Sequence, residues 1–268
     1  MRNDDATARV HDQQGSQSTD ASPETVRLEI RPPSPRGTSF GVEPWQCEIR
    51  SFRGEVIYEN GRFPHFRRED GEFDDADEHD GRAYHVLARL RATGQLIASA
   101  RIAPAESLAP SKVMALDQSA ATRLLRSEQL RQSDVLEGAR WVVHPRHRGQ
   151  SIGRLLVVAS NVLARQLQRK LIWVLAGTAA GQDALLRHFG FWEASPDRHS
   201  MPEVGDAVKL LACRPEQLLH RHAELAMQVA PAVNDELARI YPGRQSSPVD
   251  HGDHNEPETW RTGRRRPA

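Results

Sequence analysis

The stretch that decides the fold is Val142-Val143-His144-Pro145-Arg146-His147-Arg148-Gly149-Gln150-Ser151-Ile152-Gly153-Arg154-Leu155-Leu156. It leads from the strand pattern Leu136 to Val143 into the longest amphipathic helix pattern of the chain, Ser151 to Arg169. Glycines in such a loop permit close backbone approach to a ligand, and the N–H groups that begin a helix attract anions. The stretch therefore predicts a β–loop–α unit that can hold a pyrophosphate.

The patterns on either side of this unit predict a mixed sheet flanked by helices. Upstream, the sequence predicts a helix over Cys47 to Tyr58, a β-hairpin of Tyr84 to Arg91 and Gln95 to Ile102, and a helix over Ser119 to Arg131. Downstream, it predicts a buried strand Leu171 to Ala176, a helix Gln182 to His188, a last strand Ala207 to Ala212 and a final helix Pro215 to Ile240. This order places the chain in the α/β (α+β) class.

Composition and length predict one catalytic domain with polar ends. Residues 1–40 are rich in polar residues and proline, and we expect a disordered arm there, followed by the domain over 41–214. A C-terminal helix over 215–242 and a disordered tail over 243–268 complete the predicted organisation. We interpret the basic end of the tail as solvated rather than as a nucleic-acid patch.

Charge and cysteine usage exclude several classes of function. The 36 basic and 36 acidic residues balance, so no global field favours nucleic acid or a membrane surface as partner. The two cysteines, Cys47 and Cys213, lie in no metal-ligand spacing, and we assign no metal and no disulfide framework. No signal-peptide core or membrane-length apolar run is present, which predicts a cytoplasmic protein without a membrane span.

The loop Arg148-Gly149-Gln150-Ser151-Ile152-Gly153, after a strand ending in Val143-His144-Pro145, resembles the coenzyme A loop of the GCN5-related N-acetyltransferases (GNAT superfamily). Ser151 stands where the family usually has its central glycine. The strand Leu171 to Leu175 and the helix ending in Gly190-Phe191 extend the resemblance to roughly residues 45–215. It implies a mostly antiparallel sheet, a splayed strand that pairs with the pantetheine arm, and donor contacts from Trp141, Val142, Val143, Arg148, Gly149, Gln150, Ser151, Ile152, Gly153 and Arg154.

Three further features resemble acyl-homoserine-lactone synthases and N-acyl amino acid synthases: the acidic run Glu72 to Asp77, Arg101, and Glu137-Gly138-Ala139-Arg140-Trp141. An insert of about thirty residues, of a length that is often functional, separates Arg101 from Glu137. The resemblance implies an acyl donor carried by coenzyme A or by acyl carrier protein. Asp74, Asp77, Arg101 and Arg140 are the expected acceptor-side residues, although a solvated acidic loop is the alternative.

Glu137 is the candidate general base for removing a proton from the attacking amine. It lies three residues before Arg140, so the two side chains would project to opposite faces of a strand unless a β-bulge intervenes, and we predict that bulge. The alternative is a solvated Glu137 at the start of the strand, paired with Arg140 or Arg101. Leu186 occupies the position where many family members have a tyrosine acid, which favours the lactone-synthase-like reading.

These features predict an N-acyltransferase that moves an acetyl or longer acyl group from a thioester to the amine of a small molecule such as an amino acid. Acetyl-CoA, acyl-CoA or acyl carrier protein would be a co-substrate, and no permanently bound cofactor is expected. Two alternatives stay open: a coenzyme A-binding sensor without turnover, suggested by Ser151 and Leu186, and a non-catalytic scaffold. His144, His147 and His188 have no assigned role.

Overall fold

The computed structural model describes residues 25–243 except 35–40, 42, 62, 109 and 202–204. Within this part the strands are β1 (Val26–Arg31), β2 (Tyr84–Leu90), β3 (Leu96–Pro104), β4 (Val135–Val143), β5 (Leu171–Gly177), β6 (Trp192–Met201) and β7 (Asp206–Cys213). The helices are α1 (Pro44–Glu59), α2 (Lys112–Leu116), α3 (Gln118–Ser127), α4 (Ile152–Gln166), α5 (Gln182–Phe189), α6 (Pro215–Arg221) and α7 (Ala223–Ile240).

Each predicted element is present, and three expectations need correction. The prediction of a disordered arm over residues 1–40 is wrong for Val26–Arg31, because β1 pairs with β2 along its whole length. The predicted order leads from the helix Gln182 to His188 directly to the strand Ala207 to Ala212. The structure has an additional strand, β6, between these two elements, and β6 pairs with β7. The predicted C-terminal helix is two helices that break at His222. Residues 1–24 and 35–40 of the predicted arm, and the tail after 243, lie outside the described residues.

The strands form one sheet in the order β1-β2-β3-β4-β5-β7-β6. All neighbours are antiparallel except β4 and β5, which run parallel and pair only from Val135 with Leu171 to Gly138 with Val174. Beyond that pair, β4 continues beside β3 and β5 continues beside β7. The two parallel strands therefore open into a wedge on the side toward Val143, as the resemblance implied.

Helices cover both faces of the sheet. The back face carries the largest apolar cluster, in which α4, α6 and α7 pack on alternate residues of β1 to β5. The front face carries three smaller clusters: one under α1, one under α2 and α3, and a third of Ala83, Ala103 and Leu108. A mixed sheet between two helical layers is the stable arrangement for alternating elements of this kind. On the front face, a polar gap separates the cluster under α1 from the cluster under α2 and α3, and it lies beside the wedge.

Candidate active site

The wedge ends at the N-terminus of α4, where the backbone has no side-chain cap. Ser151 stands at the N-cap position, but its side chain accepts no hydrogen bond from the helix. The first N–H groups of an uncapped helix remain available to an anion, and the helix dipole favours that anion. Gly149 and Gly153 leave this approach clear, since a Cβ at Gly149 would have no neighbour within 4 Å and one at Gly153 would only touch Val143 at 4.0 Å.

The predicted donor loop divides into residues that shape it and residues that face outward. Arg148 shapes it, because its guanidinium donates to the carbonyl of Val143 at 3.2 Å and to Asn60 at 3.0 Å. Ile152 is buried in the back-face cluster and anchors α4. Arg154 is partly exposed, and its Nε has no hydrogen-bond partner among the described residues.

Trp141 forms the back wall of the wedge. Its ring packs edge-on against Phe191, with 5.7 Å between ring centroids. Gly138 makes room for it, because a Cβ on residue 138 would lie 3.1 Å from Trp141 and 2.9 Å from Val174. The glycine at this position is therefore a requirement of close packing where β4 and β5 separate. The indole N–H of Trp141 is buried without a partner in the described part of the chain.

The predicted bulge is present in β4. Between the pairs Ser99–Val142 and Arg101–Ala139, β4 has one more residue than β3, and Arg140 there has a φ of 53°. The extra residue shifts the alternation of side chains by one place. Glu137 and Arg140 consequently lie on the same, front face of the sheet, and Trp141 turns to the back.

The polar gap on the front face holds a buried network of ion pairs, and Arg53 of α1 is at its centre. Its guanidinium contacts Asp80 at 2.8 Å, and it contacts both the carboxylate of Asp75 at 3.1 Å and the Asp75 carbonyl at 2.8 Å. All three side chains are almost completely buried. Burial alone would lower the pKa of Arg53, but the two carboxylates raise it.

Asp77 connects this network to the sheet and to the insert. Its carboxylate contacts Arg101 at 2.7 Å, Lys112 of α2 at 2.6 Å and Arg140 at 3.2 Å. Burial alone would raise the pKa of Asp77, but the three cations lower it well below its usual range. Asp77 is therefore an anion that holds three basic side chains in fixed positions.

The four predicted acceptor-side residues are not equivalent. Asp77, Arg101 and Arg140 meet in the network, and Arg140 also contacts Asp75 at 2.8 Å. Asp74 instead pairs with Arg50 on the outer side of α1 at 2.6 Å, where both side chains are partly exposed. The structure thus brings together three of the four and separates Asp74 from them.

Sequence reasoning missed Arg53, Asp80, His85 and Lys112. The one usable signal was Gly54, which interrupts the helix pattern of α1. A Cβ there would lie 2.9 Å from the backbone of Asp74 and 3.1 Å from that of Asp75, so the glycine allows the acidic segment to lie directly on the helix. That close approach brings the carboxylate of Asp75 to Arg53.

Glu137 is buried between the network and the insert. Its two carboxylate oxygens accept hydrogen bonds from the backbone N–H groups of Lys112 at 3.1 Å and Val113 at 3.3 Å. Lys112 therefore touches both acids, since its ammonium group binds Asp77. The insert is fixed on the front face by these contacts, and among the described residues Glu137 forms no ion pair with Arg140 or Arg101, which was the alternative interpretation.

His85 on β2 completes the buried group. Its ring is 1% exposed, and its Nε2 contacts the carbonyl of Asp80 at 3.1 Å. Burial and the nearby charge of Arg53 lower the pKa of His85 to about 4, so the imidazole is neutral near pH 7. The ring then donates its Nε2 proton to that carbonyl.

Comparisons with known structures identify the class of this fold. Similar solved structures are BjaI, a coenzyme A-dependent acyl-homoserine lactone synthase, with MTA (TM-score 0.54, 16% identity, covering 77% of this chain and 98% of that one) and TofI in a ternary complex with an inhibitor and MTA (TM-score 0.51, 17% identity, 77% and 99%). At this level of identity the likeness establishes the fold, which is that of acyl-CoA N-acyltransferases. No curated protein matches the sequence.

A second comparison matches part of the chain to a family model. Residues 52–158 match the model of the acetyltransferase (GNAT) domain, a range that runs from α1 through the insert and the donor loop into α4. The match covers 107 of the 268 residues and agrees with the resemblance to the GNAT superfamily that the donor loop predicted. Among the described residues, no helix combines the length and apolar character needed to cross a bilayer.

Proposed function

We propose that this protein transfers an acyl group from a thioester of coenzyme A to the amine of a small molecule. The wedge between β4 and β5, which ends at the uncapped N-terminus of α4, is the observation that carries this proposal. A pantetheine arm can pair with the open side of β4 as an added strand, and the pyrophosphate then meets the helix N-terminus. The thioester would lie near Val143. An acyl carrier protein, which presents the same pantetheine arm, is the alternative donor.

The front-face network supports an amine acceptor beside the wedge. Arg140 borders the opening, with its guanidinium over the rings of Phe63 and Phe66 at 5.6 and 5.7 Å. Because the anions Asp75 and Asp77 hold this cation in place, it can orient a carboxylate such as that of an amino acid. We assign the role of base to Glu137, acting directly or through a water, in a reaction that breaks the C–S bond and forms a C–N bond.

The first experiment measures donor binding. We expect coenzyme A and its acyl thioesters to raise the melting temperature of the wild-type protein through preferential binding to the folded state. Gly153→Glu places a negative charge where the pyrophosphate would lie, in space that is open in the free protein, and should abolish this shift without unfolding the domain. Gly153→Ala is the matched control that keeps the charge unchanged. The proposal is contradicted if no thioester of coenzyme A changes the melting temperature and acylated carrier protein also supports no turnover.

The second experiment separates an enzyme from a coenzyme A sensor. Thiol release from acetyl-CoA or a longer acyl-CoA is followed in the presence of a panel of amino acids, and a general base contributes roughly 10²–10⁴-fold to the rate of such a reaction. Glu137→Gln should therefore lower kcat by that range while the dissociation constant for coenzyme A changes little. Binding with no turnover for any amine of the panel favours the sensor, to which the strained Ser151 and the absence of a tyrosine at Leu186 point.

A further inference from the structure

The outer edge of the front-face network presents two cations that share one carboxylate oxygen. The ammonium group of Lys112, from the insert, lies 2.6 Å from Oδ2 of Asp77, and the guanidinium of Arg140 lies 3.2 Å from the same atom. The side chains of Lys112 and Arg140 are 36% and 18% exposed, whereas that of Asp77 beneath them is 4% exposed. The two positive groups are therefore neighbours at the accessible edge of the network.

The charges of the network do not balance at this edge. Among the described residues, three aspartates face four basic side chains, namely Asp75, Asp77 and Asp80 against Arg53, Arg101, Arg140 and Lys112. Glu137 stands apart from this count, because its carboxylate accepts hydrogen bonds from backbone N–H groups of the insert. One positive charge is left over. It falls on the two accessible side chains, since Arg53 and Arg101 are almost completely buried.

The two cations are held in different ways, and together they offer two contact points for a carboxylate. Arg140 is fixed, because Asp75 and Asp77 bind its guanidinium and two phenylalanine rings lie against it. Lys112 is fixed at its backbone N–H group, while its side chain is a flexible stem that ends in a point charge. Its ammonium group has three protons, and Asp77 accepts one of them. A carboxylate can then place one oxygen on Lys112 and the other on Arg140.

We propose that Lys112 is a specificity residue for the acceptor, and that its ammonium group and the guanidinium of Arg140 together bind a carboxylate of the amine substrate. The inference rests on the proposed function, because it requires an acceptor beside the wedge. It deepens that function by naming the acceptor class, amines that carry a carboxylate, and by giving the insert a direct part in the site. Lys112 contacts the end of the acceptor that does not react, and this contact orients the amine toward the thioester.

The test compares amino acids with their carboxamides, which keep the amine and lose the negative charge. Thiol release is followed with the acyl-CoA that supports the highest rate, and kcat and KM are determined for each acid and its amide. A hydrogen bond to a charged group contributes enough for about a tenfold effect or more, so the wild-type protein should prefer the acid by at least that factor in kcat/KM.

The variant Lys112→Met removes the charge and keeps a long side chain. It should raise KM for the acid by about tenfold or more with little change in kcat, and should leave kcat/KM for the amide nearly unchanged. Lys112→Arg keeps the charge and should retain most of the preference for the acid. Asp77 keeps Arg101 and Arg140 as partners in these variants, so we expect them to fold. Lys112→Gln decides the part of Lys112 if the methionine variant does not fold.

The matched control is Lys170→Met. Lys170 pairs with Asp134 at 3.4 Å just before β5 begins, at the end of that strand away from the opening of the wedge. Its replacement removes the same charge and a lysine–aspartate contact, and should leave the ratio of kcat/KM for acid and amide unchanged.

Wild-type protein that uses the amide as well as the acid overturns the inference and leaves the proposed function standing. The same holds if Lys112→Met loses activity equally toward the acid and the amide, because Lys112 would then only hold the insert in place. Absence of thiol release with every acid and every amide overturns the proposed function, and the inference with it.

Discussion

The donor loop and the front-face network meet at β4, which leads into the loop and carries Arg140 of the network, and they are built in opposite ways. The loop is defined by backbone and by empty space: its helix end has no side-chain cap, and Cβ atoms at Gly149 and Gly153 would meet almost nothing. The network is defined by side chains that fill their space, with Arg53, Asp75 and Asp80 almost fully buried. The difference teaches that one site can combine a part that tolerates added volume with a part that does not.

The two parts should therefore respond to substitution in different ways. A change in the loop should alter ligand binding at nearly constant stability, whereas a change in the network should lower stability before any effect on the reaction can be measured. Buried ion pairs are strongly destabilised when one partner is removed, because the other charge stays buried and uncompensated. The predictions below test this contrast from both sides.

The largest effect is expected for Arg53→Leu. Removing the cation leaves Asp75 and Asp80 without their shared partner, which should lower the free energy of unfolding by about 3–5 kcal/mol. Urea denaturation measures it. Arg50→Leu is the control, because Arg50 lies on the same helix but forms a partly exposed pair with Asp74, whose loss should cost about 0–1 kcal/mol. Equal losses for the two variants would contradict the contrast.

A smaller effect is expected from the titration of His85. Its pKa is about 4 in the folded protein and near 6.5 in the unfolded chain, so the unfolded state binds the additional proton as the pH falls from 6.5 to 4. Stability should fall by up to about 3 kcal/mol over this window and lose nothing more from this group below pH 4. Arg53, Asp80 and Arg101 are the charged groups that act on the ring.

The corresponding variant is His85→Gln, which cannot take up this proton. Urea denaturation between pH 4 and 6.5 gives the slope of the free energy of unfolding against pH. This slope should be smaller in the variant than in the wild type, by the amount that corresponds to the uptake of about one proton on unfolding. His188→Gln provides the control for the loss of a histidine, since His188 is exposed. An unchanged slope in His85→Gln would show that His85 is not the group that titrates.

The smallest effect is expected in the donor loop. Ser151 has a φ of 61°, in the left-handed region that favours glycine, so Ser151→Gly should raise the free energy of unfolding by about 1 kcal/mol. Gly149→Ala, at a φ of 79°, should lower it by a similar amount, on the order of 1 kcal/mol. Thermal melts of both variants give the two signs. A destabilised Ser151→Gly would mean that the serine side chain supports the loop.

The donor side could be predicted from sequence because its signals are local. The loop, the helix after it and the bulge at Arg140 depend on residues within about a dozen positions of one another, and the structure has all three. Which residues contact the donor stays a prediction, as does the role of Glu137. The strand β1 also had a local signal, the alternation of Val26, Leu28 and Ile30, which its polar surroundings obscured.

The network could not be predicted in the same way, because its partners are far apart in the chain. Arg53 and Asp80 are 27 residues apart, and Arg140 and Asp77 are 63 apart. In the sequence no local feature distinguishes Arg53 from the other arginines. The acidic run likewise resembles a solvated surface loop. Strand β6 was missed for a related reason, since Pro196 and its charged neighbours resemble a loop until β7 pairs with them across a register shift.

The position of β1 has a practical consequence for anyone who produces this protein. A shortened version that starts at residue 41, as the polar composition of the first forty residues suggests, would lack the strand that pairs with β2 from Val26 to Arg31. The newly exposed edge of β2 would then present unpaired backbone groups and buried apolar side chains to other molecules, the situation that leads to edge-to-edge aggregation. Shortened versions should begin before Val26.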